Sequence, residues 1–189
     1  YAYEDFVEGY RPTISSSGQP GFEIRKGPLR RIAEQAEAAP DSLHVLIIDE
    51  INRGNIPKIF GELITLVEAS KRGTTNSILP LSKKPFTVPD NLYIIGTMNT
   101  ADRSIALMDV ALRRRFTFRE LMPDPSVLED CMPNGSVLSD VNVPQLLECI
   151  NLRIQFLYDR DHTIGHSYFV HVDSLDSLRG VLINRVIPL

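Results

Sequence analysis

The 189-residue chain is short of the residues that announce metal or disulfide chemistry. Its two cysteines, Cys131 and Cys149, stand alone, and no Cys/His pair falls at a zinc spacing. Both are expected to be free thiols in a reducing, cytoplasmic compartment. Basic charge is also lacking: 20 Lys and Arg against 24 Asp and Glu leave a net charge of −4, which gives no electrostatic case for nucleic-acid binding through this chain. No apolar run approaches the roughly 20 residues of a membrane helix, and no charged-then-apolar leader opens the chain. None of the 11 glycines is followed by lysine, so the phosphate-cradling loop Gly-x-x-x-x-Gly-Lys-Ser/Thr is missing as well. There are no repeats and no low-complexity segments. What is present is an ordinary globular composition, 43% hydrophobic and 23% charged, long enough for one core with a small appendage.

Two short apolar runs organise the rest. Val45 to Ile48 is β-branched and too brief for a helix core, and it predicts a strand buried on both faces, as in a parallel sheet. It ends in adjacent acids, Asp49 and Glu50. Leu92 to Thr97 predicts a second such strand, running into Met98, Asn99 and a polar cluster that includes Asp102 and Arg103. Strand C-termini are where open α/β sheets bind ligands. An acid pair there suits a site in which one carboxylate serves Mg²⁺ and the other positions a water for attack on a triphosphate.

Around these strands the pattern predicts helices from Pro28 to Ala39 and from Pro57 to about Arg72, the second with Ile59, Phe60, Leu63, Ile64 and Val67 on one stripe. Phe22 to Gly27 reads as one arm of a hairpin, and Ser77 to Val88 as a protruding hairpin with Lys83 and Lys84 at its tip. A helix is expected from about Ile105 to Arg114, then a short strand at Phe116–Phe118. Pro123-Asp-Pro125 is a breaker, so a boundary is placed between residues 1–122 and 123–189. The second part reads as helical, notably Val143 to Leu157 and Ser174 to Val186.

The ordered strings LIIDEINRGN (46–55), YIIGTMNTADRS (93–104), ALRRRF (111–116) and IGHSYF (164–169), with YEDFVEGYRP (3–12), resemble the AAA+ module of McrB-type GTPases over nearly the whole chain. The resemblance implies an α/β fold, a partial P-loop NTPase core of parallel sheet and flanking helices, followed by a small helical lid. It places the missing phosphate loop before Tyr1, and the stop at Ile187-Pro-Leu inside the last lid helix. On that reading the isolated piece binds nucleotide weakly and does not turn it over. It also implies a motor hydrolysing GTP or ATP with Mg²⁺, in a homo-oligomeric, hexameric ring. The ring works with an McrC-like nuclease subunit on modified DNA, which other domains or the pore would engage.

The same resemblance assigns roles. Asp49 holds Mg²⁺, Glu50 orients or deprotonates the attacking water, and Asn99 is the sensor amide facing the γ-phosphate. Asp102 steadies the water and Arg103 bridges subunits, unless Asp102 only caps the next helix and Arg103 pairs locally. Asn52 and Arg53 contact a neighbour or the sensor strand, or else Asn52 or Asn55 is a helix cap. Arg114 and Arg115 are arginine fingers for an adjacent subunit, although cations also suit a helix C-terminus. Gly165 and His166 lie in the lid near the nucleotide, with a purely structural His166 as the alternative. Two other functions compete: an ATP-driven remodelling protein of the MoxR or dynein kind, and a ring scaffold that hydrolyses nothing. A scaffold has no chemical need for Asp49, Glu50, Asn99 and the arginines together.

Overall fold

The computed structural model describes residues 1–14, 18–99 and 110–188. The chain divides into two compact units, Tyr1–Phe118 and Arg119–Leu189.

The first unit is built on a two-stranded parallel sheet. Strand β3 (His44–Ile48) pairs with β6 (Leu92–Gly96), His44 opposite Leu92 and Ile48 opposite Gly96. Before it come α1 (Tyr3–Phe6), an antiparallel hairpin of β1 (Glu8–Ile14) and β2 (Pro20–Lys26), and α2 (Pro28–Ala38). Pro28 fixes the first turn of α2, and Leu29, Ala33 and Ala36 recur at helical spacing to give it one buried face. Between β3 and β6 lie α3 (Ile56–Phe60) and a short antiparallel pair, β4 (Ser77–Ile78) with β5 (Pro85–Phe86). The core gathers Phe6, Leu29, Ala33, Phe60, Leu63, Leu66, Val88 and Leu92, with the Phe6 and Phe60 rings 4.9 Å apart. The first unit closes with α4 (Val110–Arg113), after which Leu112 and Phe116 pack into that core.

Three expectations change. The β3–β6 sheet is covered on one face only: Leu46, Ile48 and Ile94 pack on the core, whereas Val45 (46% exposed), Ile47 (65%) and Tyr93 (51%) point away. In the described residues two strands and the helices beneath them leave the second face open, so alternate residues of an apolar run diverge in burial. The helix from Pro57 does not run through. Gly61 sits at φ +54°, where a Cβ would meet the Tyr3 ring at 3.2 Å, and the chain tightens into 3₁₀ turns over Gly61–Val67. The apolar stripe is nevertheless buried. Phe116–Phe118 forms no strand among the described residues; Phe116 is used as a core anchor instead.

A buried ion pair locks the hairpins of this unit together. Glu8, fully buried on β1, accepts the backbone N–H groups of Leu81 and Ser82 in the β4–β5 turn, each at 3.0 Å. Its other oxygen takes the guanidinium of Arg30 from α2, which also donates to the Ser82 hydroxyl at 3.2 Å. Burial opposes ionisation of Glu8, but the Ser82 and Leu81 donors and Arg30 outweigh it and hold the carboxyl below its usual range.

The second unit contains α5 (Val127–Cys131), the small ladder β7 (Val137–Leu138) with β8 (Val141–Asn142), α6 (Val143–Leu157) and α7 (Leu175–Val181), which continues as a π-helical turn over Leu182–Val186. Asn142 caps α6 by accepting from the Gln145 N–H at 2.9 Å, with Pro144 in the first turn. Leu128, Val143, Leu147, Phe169, Val172 and Leu178 form its core. Buried Asn151 on α6 exchanges two hydrogen bonds with the backbone of Ile164, 2.9 and 2.7 Å, pinning the segment that leads into Gly165. No described helix is long and apolar enough to cross a membrane.

Candidate functional site

The parallel register brings the C-terminal ends of β3 and β6 to the same edge. Asp49 and Glu50 follow Ile48 on one strand, and Thr97, Met98 and Asn99 follow Gly96 on the other. The backbone crosses between them twice: the Thr97 N–H donates to the Ile48 carbonyl, and the Ile51 N–H to the Thr97 carbonyl, both at 3.0 Å. Gly96 permits this approach, since a Cβ there would lie 3.0–3.3 Å from the Ile51 side chain.

Thr97 is the residue that sequence reading passes over. Its hydroxyl donates to the Asp49 carboxylate and accepts the Glu50 N–H at 3.0 Å. One side chain therefore orients the first acid and anchors the backbone of the second. The apolar runs give no signal for it; only its place between a glycine and an amide at a strand end hints at the role.

Glu50 adopts a left-handed conformation, φ 52° and ψ 48°. Outside glycine that region costs of order 1–3 kcal/mol and is tolerated where the surroundings enforce it. Here the Thr97 hydroxyl and the turn through Ile51–Arg53 enforce it, and the carboxylate is turned into solvent beside Arg53, 3.3 Å away. Asp49 and Asn99 are exposed too. Asn55 is a helix cap, its Oδ1 accepting from the Lys58 N–H at 3.0 Å, while Asn52 is half-buried.

The arginines behave differently from one another. Arg113 and Arg114 are exposed, and Arg115 turns inward to Glu68, at 2.8 Å. Asp102 and Arg103 lie outside the described residues. In the second unit, His166 accepts the Asp124 backbone N–H on Nδ1 at 3.0 Å, so a neutral ring carries its proton on Nε2. Gly165, extended at φ −70°, precedes it, and both are half-buried. Asp124 is held below the usual carboxylate range by hydrogen bonds from Ser126, with His166 adding to the effect.

No group of three or more His, Cys, Asp or Glu among the described residues forms a closed metal cage. The donor set still suits Mg²⁺, which keeps much of its water and takes one or two carboxylates plus substrate phosphates. Asp49, exposed and oriented by Thr97, could supply such a carboxylate.

A parallel strand pair carrying acids and a hydroxyl–amide pair at one edge, followed by a separate helical unit, has the layout of an AAA+ nucleotide-binding module. Residues 1–116 match the AAA domain (dynein-related subfamily), and residues 142–189 match the McrB alpha-helical lid domain. The chain belongs to the McrB-type AAA+ proteins. It is 39% identical over 181 residues to the type IV methyl-directed restriction enzyme EcoKMcrB subunit of Escherichia coli (strain K12), covering 89% of this chain and 38% of that protein. It is 27% identical over 134 residues to the type II restriction enzyme BsuMI component YdiS of Bacillus subtilis (strain 168), covering 63% of this chain and 37% of that protein. The chain thus spans under two fifths of the length of either relative.

Proposed function

We propose that this chain is the nucleotide-hydrolysing part of a restriction motor, turning over GTP, with ATP as the alternative. Residues 1–122 form its core and residues 123–189 its lid. The observation that carries this is the joining of Asp49, Glu50 and Thr97 by direct hydrogen bonds at one edge of a parallel sheet, with Asn99 two residues further on.

Asp49 would hold Mg²⁺, which supplies charge neutralisation at the β- and γ-phosphates. Glu50, clear of the sheet, orients the attacking water and takes its proton. Asn99 donates its amide to a γ-phosphate oxygen, where a carboxylate would repel it. Asp102 is proposed to steady the same water and Arg103 to act between subunits. Arg114 is the group offered to a neighbour's phosphates, which makes a ring of identical subunits the working form. Gly165 and His166 of the lid are the residues assigned to nucleotide contact in that unit, the His166 Nδ1 being taken by the Asp124 N–H. An McrC-like nuclease subunit and modified DNA are its partners on this reading, in keeping with similarity to two proteins named as restriction-enzyme components, one of them methyl-directed. The compartment is the cytoplasm.

The test is turnover of GTP and of ATP, side by side, by the full-length protein and its Asp49→Asn variant. Mg²⁺-dependent hydrolysis lost in the variant, faster with GTP, supports the reading. Faster ATP turnover transfers it to an ATP-driven motor, and no hydrolysis of either nucleotide overturns it.

A further inference from the structure

Arg113, Arg114 and Arg115 follow one another directly, yet only Arg115 is drawn in. Its backbone N–H and that of Phe116 both donate to the Leu112 carbonyl at 3.0 Å, and Leu112 and Phe116 sit in the core. The Arg115 guanidinium, 14% exposed, lies 2.8 Å from Glu68, itself 35% exposed. Glu68 terminates the 3₁₀ turns of Gly61–Val67, and its carbonyl accepts the Lys71 and Arg72 N–H groups at 2.9 and 3.3 Å. Residues 49 to 68 are therefore one run of chain with the acid pair at its start and, at its end, the carboxylate that grips the arginine segment.

We propose that Glu68 is a positioning residue: by holding Arg115 within its own subunit, it aims Arg114 at the nucleotide of the next subunit. Arg115 then acts through Arg114 and does not touch phosphate. Consecutive residues on a helical turn point about 100° apart, so pinning one side chain inward sets the direction of the one before it. A partly desolvated arginine–carboxylate pair with planar guanidinium geometry resists rotation better than an exposed lysine–carboxylate pair. The arrangement also ties the acid-bearing segment of one subunit to the arginine it lends, which gives neighbouring sites a physical link. The inference rests on the hydrolytic ring proposed above.

The experiment uses the full-length protein and follows kcat and KM for the favoured nucleotide. Glu68→Gln is expected to lower kcat by about 10- to 100-fold, as small misplacements of a reacting group do, with KM and melting temperature little changed. The exchanged pair Glu68→Arg/Arg115→Glu is expected to recover most of that loss. Mixing Glu68→Gln subunits with Glu50→Gln subunits is expected to restore turnover above either alone, because intact neighbours then serve the intact acids. Unchanged kcat in Glu68→Gln, no rescue by exchange, or no gain on mixing would overturn the inference. If Arg115→Ala costs as much as Arg114→Ala while Glu68→Gln costs nothing, Arg115 is itself the transferred group and the positioning role falls. Turnover that survives in Glu50→Gln alone would instead remove the hydrolytic reading on which all of this stands.

Discussion

The Thr97 hydroxyl donates to the carboxylate of Asp49 across the β3–β6 strand ends, and the same oxygen accepts the Glu50 N–H. The relationship makes Thr97 the group that orients Asp49, the acid proposed to hold Mg²⁺. Thr97→Val keeps the shape and removes both bonds. Outer partners of metal ligands are typically worth about 10- to 100-fold, so turnover should fall by that much while folding is retained. Titrating Mg²⁺ in the hydrolysis assay checks it: the half-maximal Mg²⁺ concentration should rise in the variant.

The left-handed backbone at Glu50 separates stability from activity. Glu50→Gly relieves a conformation that disfavours a side chain, and should leave stability equal or higher by up to about 1 kcal/mol. The same change removes the carboxylate proposed to orient the attacking water and should abolish hydrolysis. Denaturant unfolding alongside turnover measures both; a large loss of stability would mean the carboxylate is held for structural reasons.

Glu8 and Arg30 form a pair whose breaking should be felt through the whole first unit. Glu8→Gln removes one carboxylate from the buried Arg30 guanidinium and leaves it to Glu34, 3.0 Å away, so the loss should fall below the roughly 3–5 kcal/mol of a fully unpaired buried charge. The pH dependence has a definite sign. The folded carboxyl titrates below its ordinary value, so its contribution is present above an unfolded pKa of about 4.3 and is lost as pH falls through the folded value. Urea midpoints of the two proteins should differ most near neutral pH and converge as pH falls through the lowered folded value of the carboxyl.

Asn91 fastens the sheet to the helix beneath it. Its side-chain amide lies 2.9, 3.0 and 2.9 Å from the carbonyls of Ala36, Ala39 and Ser42, and its own carbonyl accepts the His44 N–H at 2.9 Å. Asn91→Ala removes the side-chain bonds where β3 begins while the Ala36 and Ala39 carbonyls keep the N–H groups of Ala39 and Ser42, and should cost about 0.5–1.5 kcal/mol in denaturant unfolding. A change under a few tenths of a kcal/mol would show that water replaces the amide without penalty.

The two central strands are legible in the sequence because β-branched runs of four or five residues between turn residues have few other uses. Helix α6 is equally plain, since Asn142 and Pro144 mark its start and the apolar period carries it to Leu157. What periodicity cannot convey is which face a neighbour covers. Val45 and Ile47 look as apolar as Leu46 and Ile48, yet only the latter two pack on the core. Gly61 in an otherwise continuous stripe reads as a tolerated helix residue, because the Tyr3 ring that accompanies its positive φ comes from far away in the chain. The acid pair and Asn99 stand out as strand-end polar groups. Thr97 and Glu68 do not, because their importance lies in the partners that folding brings to them.

The central claim is tested most directly by Glu50→Gln in the full-length protein, with nucleotide binding and hydrolysis measured on the same preparation. The account predicts binding within a few-fold of the unmodified protein and turnover reduced by at least about 100-fold, since the amide keeps the shape but cannot take a proton. Hydrolysis at the unmodified rate in that variant would contradict it.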